Sequence, residues 1–373
     1  MSDAEPAPSW SMLPPDPRGL PAPEGERLRR LWRVNERLQR AGLLGETARA
    51  EALREFTLLG AEALPALRQA ARGGETPAAR LARDAVHVLV PEELGAQLEL
   101  GLNGLRERFP AELGAAVLAR LGDAELDPQA LLKRLDQLAA RAGEHIRAKL
   151  KRPASEPRAE GKTVDTVFRL GEFWRAQGFE GDRESYYSPR NSMLGEVLER
   201  KRGIPISLSV VYLALCRRLG LQAAGIGMPA HFIVRVDVRE AGKSGCVFVD
   251  PYHAARPLDL DDCRELVERH GQRFVPEQHL RPIAPRDLLA RMCYNLLNVY
   301  DRQRKPLEAE RVLTVLLHLA GRHPSLLMAR ATRRADRGAN GLAAGDLQEA
   351  LRAEPNLPGA QELLRRLEYR EAT

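Results

Sequence analysis

Hydrophobic positions recur every three to four residues through the first part of this sequence, a spacing typical of amphipathic helices. The pattern starts at Glu26 and is interrupted at glycines and prolines, which end or begin helices. These interruptions predict an all-helical region over residues 26–150, with helices at about 26–42, 45–58, 61–72, 76–89, 91–108, 110–121 and 127–150. Residues 1–25 are rich in proline, so we predict a disordered tail there.

The helices predicted within residues 61–89 form a pair of the HEAT type, although a single copy of such a repeat is weak support. Residues 152–162 read as a linker or an exposed loop, and a helix is predicted at about 163–178. Asn191 or Ser192 is expected to cap the next helix, which stops at Gly203.

A central buried helix is predicted over residues 205–219, because almost every position in that stretch is apolar. Pro205 suits its first turn, where a missing N–H does no harm. Segments 221–227, 230–238 and 246–250 are strand-like. The last two are expected to pair as a hairpin around a loop with Gly242 and Gly245.

That hairpin brings His231, at the start of one strand, within a few residues of Asp250, at the end of the other. The sequence does not fix the register, so contact between the two side chains is an inference. A short helix is predicted to follow over Leu258–His270.

The last part of the chain is again helical, with predicted helices at about 286–303, 306–321, 325–337, 342–353 and 358–369. His323-Pro324 and Glu354-Pro355 mark repeat ends about thirty residues apart, which predicts two tetratricopeptide-like hairpins and a capping helix. The helix at 325–337 is unusually polar for such a repeat, so we read the repeat as degenerate.

Composition supports a mostly helical globular protein: 44% of residues are hydrophobic, 29% are charged and 5% are aromatic. No apolar run approaches the roughly 20 residues that a membrane span needs. Four widely spaced cysteines without a CxxC pair indicate reduced thiols and a cytoplasmic location. The net charge of +6 is spread among acidic residues. We therefore interpret it as solvated helix faces, and expect nucleic-acid binding only if basic residues line one face.

Three segments carry a resemblance to a known family. YYSPRNSMLGEVLERKRGIPISLSVVYLALCRRLGL, MPAHFIVRV and VFVDPY occur in that order and precede the tetratricopeptide-like helices. In order and spacing this is similar to the bacterial SirB-type proteins, over roughly residues 110–370. The resemblance implies a papain-like, transglutaminase-type α+β core at 163–284, between the helical region at 26–150 and the repeats at 285–373.

Active transglutaminases use cysteine, histidine and aspartate. The resemblance places His231 at the imidazole position and Asp250 at the carboxylate position. The cysteine would open the buried helix, but Pro205 stands there, and the family commonly carries the same substitution. Ser207 is a weak replacement, because two residues of helix rotate its side chain by about 200°. The four cysteines read as packing or surface residues.

His231 and Asp250 therefore have several readings: a pair that orients the hairpin, a ligand-recognising cleft, or a site that hydrolyses with another group or a metal. A metal held by His231, Asp250 and His253 lacks any recognised ligand spacing, so we predict no metal and no cofactor. Further candidate binding residues flank the helix entry, with a capped helix and salt-bridged turns as the alternative: Arg190, Asn191, Ser192, Glu196 and Arg202.

The function predicted first is a non-catalytic protein–protein interaction module. Its C-terminal helical repeats would present a concave peptide-binding surface, and the degenerate core would supply a cleft around His231 and Asp250. The alternative is a hydrolase or amide transferase that uses an unrecognised nucleophile in the same cleft. A serine or cysteine close to the His231 ring would favour the enzyme.

Overall fold

The structure, a computed structural model, describes residues 63–150, 164–240 and 243–372, together with 33, 34, 36–38, 40–43, 52, 53, 55, 56 and 59. The tail predicted at 1–25 and the linker predicted at 152–162 lie outside the described residues, as does most of the helix predicted at 45–58. The chain divides into two compact units. The central unit comprises Gln97–Lys305 and His318–Ala320, and the terminal unit comprises Met1–Ala96, Pro306–Leu317 and Gly321–Thr373. The domain boundaries predicted from the sequence stay a prediction.

Helices make up most of the described structure, which confirms a mostly helical α+β fold. In chain order the helices are α1 (Leu64–Ala71), α2 (Pro77–Leu105), α3 (Ala111–Leu118), α4 (Pro128–Lys149), α5 (Val164–Ala176), α6 (Leu194–Arg200), α7 (Pro205–Arg218), α8 (Leu260–Glu268), α9 (Pro276–His279), α10 (Pro285–Arg302), α11 (Pro306–Leu319), α12 (Pro324–Asp336), α13 (Asn340–Ala353) and α14 (Ala360–Ala372). The strands are β1 (Glu180–Gly181), β2 (Arg202–Gly203), β3 (Ala223–Met228), β4 (His231–Glu240), β5 (Lys243–Asp250) and β6 (Arg256–Leu258).

The core of the central unit lies around α7. This helix packs on β3 and β4 and also contacts α3 and α4, so nearly all of its faces are covered. Leu208, Val211 and Leu215 are completely buried along it. The apolar density that predicted a buried helix at 205–219 therefore reflects helix and sheet neighbours on different sides.

Strands β3, β4, β5 and β6 form an antiparallel meander in that order. Strand β4 pairs with β3 through Met228 opposite His231, and with β5 through Val234 opposite Val249. The predicted hairpin of β4 and β5 is present, but β5 begins at Lys243, earlier than predicted, so Gly245 lies within the strand rather than in a loop.

Two local predictions were wrong. Pro91 does not separate two helices, because α2 runs continuously past it. Pro91 itself is buried, as are Leu89 and Leu94 on either side, and burial of this apolar face offsets the backbone hydrogen bond that proline removes. Helix α6 is capped at Met193, with no side-chain cap, rather than at Asn191 or Ser192.

The polarity of helix α12 has a structural explanation within the terminal unit. Arg330 and Arg334 are buried on it and both reach the buried carboxylate of Asp346 on α13. Arg334 also donates to Glu310 on α11 at 2.8 Å. Burial raises the pKa of Glu310, but the neighbouring arginines outweigh this effect and lower the pKa to about 2. The arginines that made this repeat look degenerate are core residues in ion pairs. Its tetratricopeptide-like character stays a prediction.

Among the described residues, no helix has both the length and the apolar character that crossing a membrane requires.

Candidate functional site

The first site element is the N-terminus of α7. Pro205 is the first residue of the helix, and Ile204 before it is extended. The hydroxyl of Ser207 accepts the N–H of Ile204 at 3.1 Å and donates to the carbonyl of Asn191, 2.6 Å away. This serine therefore holds the helix entry together, with its side chain buried.

The second element is the tight turn from β3 to β4, which places His231 at the start of its strand. Pro229 and Ala230 link the paired residues Met228 and His231. Ala230 has a φ of 51°, a left-handed conformation that side chains other than glycine adopt at a cost. The residue next to the candidate imidazole is thus held in a strained backbone conformation.

His231, Asp250 and His253 form one hydrogen-bonded cluster. Oδ2 of Asp250 lies 2.8 Å from Nε2 of His231 and 2.7 Å from Nδ1 of His253. Oδ1 accepts the backbone N–H groups of Tyr252 and His253 at 3.0 and 3.2 Å. The inferred contact between His231 and Asp250 is therefore present, and His253 is added to it.

The charge state of Asp250 sets the roles of both rings. Burial by itself raises the pKa of this carboxyl, but hydrogen bonds from His231 and His253 outweigh it and hold the pKa well below its usual range. An ionised carboxylate only accepts, so Nε2 of His231 and Nδ1 of His253 carry the protons. Neutral His231 then keeps Nδ1 as an acceptor that Asp250 does not occupy.

The same three side chains offer ligand atoms within 4.8 Å of one another. Two imidazoles and a carboxylate are a donor set that zinc accepts. A metal bound through the ring nitrogens that now donate to Oδ2 would replace those two hydrogen bonds. The hydrogen-bonded cluster accounts for the geometry, and the prediction of no metal stays a prediction.

A cavity of about 200 Å³ opens beside His231. Pro205 and His231 both line it, so the start of α7 and the start of β4 border one space. Tyr186, Tyr187 and Ser192 line it from the loop before α6. The cavity lies beside His231 but is not lined by Asp250, whereas the sequence predicted a cleft around both residues, so that cleft stays a prediction.

Helix α10 supplies a wall of the cavity that the sequence reading missed. Arg291, Asn295 and Asn298 all line the cavity. They lie four and then three residues apart, the spacing that puts side chains on one face of a helix. A row of polar residues at that spacing on an amphipathic helix was a signal that the sequence offered.

The predicted binding residues before α7 mostly serve internal contacts, although as a binding set they stay a prediction. Ser192 lines the cavity. Arg190 pairs with Glu196 at 2.7 Å, and Arg202 pairs with Glu180 at 2.6 Å. Asn191 is buried, donates to the carbonyl of Ser185 at 2.7 Å and accepts a hydrogen bond from Arg200.

No cysteine lines the cavity: Cys216, Cys263 and Cys293 are buried, and Cys246 is exposed on β5. Burial raises the pKa of Cys216, and it raises the pKa of Cys263 and of Cys293 to about 12. These three are therefore protonated, unreactive thiols at neutral pH.

Comparison with known proteins agrees with this arrangement. Residues 129–294 match the model of the Transglutaminase-like superfamily. The matched stretch lies within the central unit and contains His231 and Asp250 in hydrogen-bond contact, with Pro205 at the opening of the buried helix. No solved structure matches the chain.

Two bacterial relatives each match about half of this chain. The UPF0162 protein of Xylella fastidiosa is 35% identical over 184 residues, which cover 48% of this chain and 64% of that protein. The UPF0162 protein of Pseudomonas aeruginosa is 30% identical over 184 residues, covering 49% and 62%. The chain thus spans slightly less than two thirds of these relatives. Human F-box only protein 21 is 30% identical over 129 residues, covering 34% of this chain and 20% of that protein.

Proposed function

We propose that this is a non-catalytic SirB-type protein, in which the transglutaminase-like cleft binds a peptide segment of a partner protein. The observation that carries the proposal is that Pro205 and His231 line one cavity and no cysteine does. Acyl transfer on such a scaffold needs a nucleophile beside the imidazole. A cavity with an ordered imidazole, amides and a guanidinium but no thiol is suited to recognition.

The terminal unit belongs to the same proposal. Helices α12 and α13 pack closely, with Ala343, Leu347 and Ala350 buried between them and their neighbours. Small and large residues in this spacing are what a tetratricopeptide-like hairpin uses to bring two helices together. We propose that these hairpins supply a second peptide-binding surface.

A hydrolase or amide transferase is the second candidate, and Ser192 is the residue that favours it. Ser192 lines the cavity together with His231, so a hydroxyl is available in the cleft. The described residues nevertheless include no serine or cysteine side chain that hydrogen-bonds to His231; its ring bond is to Asp250. Ser207, the weak candidate from the sequence, is occupied at the helix entry.

Turnover assays separate the two candidates. The purified full chain is incubated with a glutamine-bearing protein and a fluorescent primary amine, and separately with peptide and ester substrates. We expect no turnover above that of His231→Ala. Turnover by the wild type that is lost in His231→Ala and in Ser192→Ala would overturn the non-catalytic proposal in favour of the enzyme.

Recognition is tested by quantitative capture of bound proteins. We expect His231→Ala/Asp250→Ala to lose a subset of the proteins that the wild type retains, whereas Arg239→Met, an exposed change on β4, keeps them. Each differential protein is then purified and titrated against both forms. Identical affinities for the wild type and the double variant would show that the cleft is not used for recognition.

A further inference from the structure

Arg291 is a half-buried cation in the wall of the cavity. One guanidinium nitrogen donates to the carbonyls of Met228 and His231, at 2.7 and 2.8 Å. The guanidinium also lies over the Phe232 ring, 5.5 Å from its centre. These contacts fix the side chain against the turn that carries His231. They use two of its five N–H donors, which leaves three for other partners.

Arg291, which is half-buried, differs from the more deeply buried arginines in what neutralises it. Arg330 and Arg334 pair with Asp346, and the mostly buried Arg218 pairs with Glu112 at 2.8 Å. Among the described residues, no carboxylate lies within ion-pair distance of Arg291. Buried charges in proteins are normally paired, so an unpaired guanidinium beside a cavity is a position for an anion.

The surrounding groups favour the same kind of ligand. Oδ1 of Asn298 accepts a hydrogen bond from Arg302 at 3.1 Å, so the amide nitrogen of Asn298 is left as the donor. Arg291 contributes N–H groups from the same helix wall, and Asn295 lies between them. A wall with a fixed guanidinium and amide donors is complementary to a carboxylate, which accepts from several donors at once.

The size of the cavity limits the ligand. Its volume of about 200 Å³ is smaller than the roughly 300–1,000 Å³ of pockets that enclose drug-sized molecules. It has room for one side chain or one chain end rather than for a nucleotide or a cofactor. Tyr186 and Tyr187, which also line the cavity, give that group an aromatic surface.

We propose that the cavity is a carboxylate-binding site, in which Arg291 holds a carboxylate of a peptide: its C-terminal carboxylate or an Asp or Glu side chain. The inference deepens the proposed function, because it rests on the cleft binding a peptide and names the group recognised there. The N–H groups of Arg291 that the turn does not use, on Nε and on the other terminal nitrogen, donate to the carboxylate, and Asn298 adds a further hydrogen bond.

The test is a titration of the full chain, labelled with ¹⁵N at arginine side chains, followed by NMR. N-acetylglycine represents a C-terminal carboxylate and N-acetylglutamate α-amide represents an acidic side chain. Their neutral counterparts are N-acetylglycinamide and N-acetylglutamine α-amide. We expect saturable shifts of the Arg291 signal, with a dissociation constant roughly tenfold or more lower for a carboxylate than for its matched amide. The carboxylate that binds more tightly shows whether the site prefers a C-terminal carboxylate or an acidic side chain.

Variants separate binding from a purely structural role. Arg291→Met is expected to abolish the preference for carboxylates. Arg291→Lys, which keeps the charge but has fewer N–H donors, is expected to weaken carboxylate binding severalfold. The variants are labelled uniformly with ¹⁵N, and binding is followed through the backbone amide signals of other residues that line the cavity. Arg239→Met removes the same charge at an exposed position and is expected to bind like the wild type. If Arg291→Met does not fold, Arg291→Lys and the amide comparison in the wild type carry the test.

Equal affinities for carboxylates and amides in the wild type would overturn the inference. So would carboxylate binding that is unchanged in a folded Arg291→Met or that appears equally at surface arginines. These results leave the recognition proposal standing. Conversely, turnover that depends on His231 would overturn the non-catalytic proposal without removing a preference for carboxylates.

Discussion

Asp250 determines the hydrogen-bonding state of two imidazoles at once. Its carboxylate accepts from both His231 and His253 through one oxygen, and from two backbone N–H groups through the other. All of these contacts favour the ionised form. The residue therefore links the protonation of the site to the stability of the folded domain.

The first prediction concerns acid sensitivity. Because the folded-state pKa of Asp250 lies well below the ordinary value of 3.8, its ionisation stabilises the fold above about pH 4. That contribution is lost as the pH falls toward the folded-state pKa. Asp250→Asn is expected to cost about 2 kcal/mol at pH 7, because an amide has one accepting oxygen and cannot accept from both rings and from both backbone N–H groups. Its stability should also fall less between pH 5 and pH 3 than that of the wild type.

Urea unfolding at pH 7, 5, 4 and 3 measures both effects. Asp237→Asn is the control, because Asp237 is an exposed residue of β4 outside the site. That change should leave the pH dependence as in the wild type. A curve for Asp250→Asn parallel to the wild-type curve would show that the carboxylate is not stabilised by the two histidines.

Pro205 supports a second prediction at the scale of one residue. Pro205→Cys places a thiol at the first position of α7, in the cavity that His231 lines. A helix N-terminus and a neighbouring imidazole both favour the thiolate. We expect iodoacetamide to alkylate this thiol at pH 6.5 roughly tenfold or more faster than the exposed Cys246 of the same molecule.

Peptide mass spectrometry resolves the two thiols in one sample. Adding His231→Ala should remove most of the rate advantage of Cys at position 205 while Cys246 is unaffected. A thiol at 205 that reacts no faster than Cys246, with or without His231, would mean that the helix entry and the imidazole do not face one another.

At the scale of elements, α7 depends on the hydroxyl of Ser207. That oxygen accepts the Ile204 N–H and contacts the Asn191 carbonyl, so it joins the helix to the loop before α6. Ser207→Ala should lower the free energy of unfolding by about 1–2 kcal/mol. It should leave ligand binding unchanged, because the hydroxyl acts on the backbone.

Ser209→Ala is the matched control for this third prediction. Ser209 is buried on the same helix but makes one contact of 3.5 Å with the carbonyl of Phe232. Its removal should cost less than that of Ser207, measured by urea unfolding. Equal losses would show that the network at the helix entry contributes nothing beyond burial of a serine.

The whole molecule contains two cores of different chemistry. The central unit is stabilised largely by apolar burial around α7, whereas the terminal unit also buries a network of two arginines and two carboxylates. Oxygens of Asp346 accept from Arg330 at 2.8 and 3.0 Å and from Arg334 at 2.9 Å. Loss of that one charge would leave both cations underpaired.

The fourth prediction follows from this network. Asp346→Asn should destabilise the terminal unit by about 3–5 kcal/mol, because it leaves uncompensated charge in the core. Glu349→Gln, on the same helix, breaks the more exposed pair with Arg322 and should cost at most about 1 kcal/mol. Urea unfolding gives the totals, and hydrogen exchange in α11–α13 locates the loss. Equal effects of the two changes would contradict a buried network.

The sequence alone was sufficient for most of the elements. Local periodicity located α7, the strands β3–β5 and the helices from α10 onward, because helix and strand patterns depend on neighbouring positions. The resemblance singled out Pro205, His231 and Asp250. The break predicted at Pro91 was wrong because burial of an apolar face outweighed the effect of the proline. The cap predicted for α6 was wrong because the side chain of Asn191 is engaged in other hydrogen bonds.

Only the tertiary structure decided the features that depend on contacts between segments distant in the sequence. The register of β4 against β5 brought His231 onto Asp250, and a shift of one residue would have turned the two side chains to opposite faces. Arg291 entered the site only because α10 packs beside the β3–β4 turn, some sixty residues away in sequence. The sequence determined which side chains were available. The packing of distant segments determined which of them share one cavity, and this could not be predicted because such packing leaves no local pattern in the sequence.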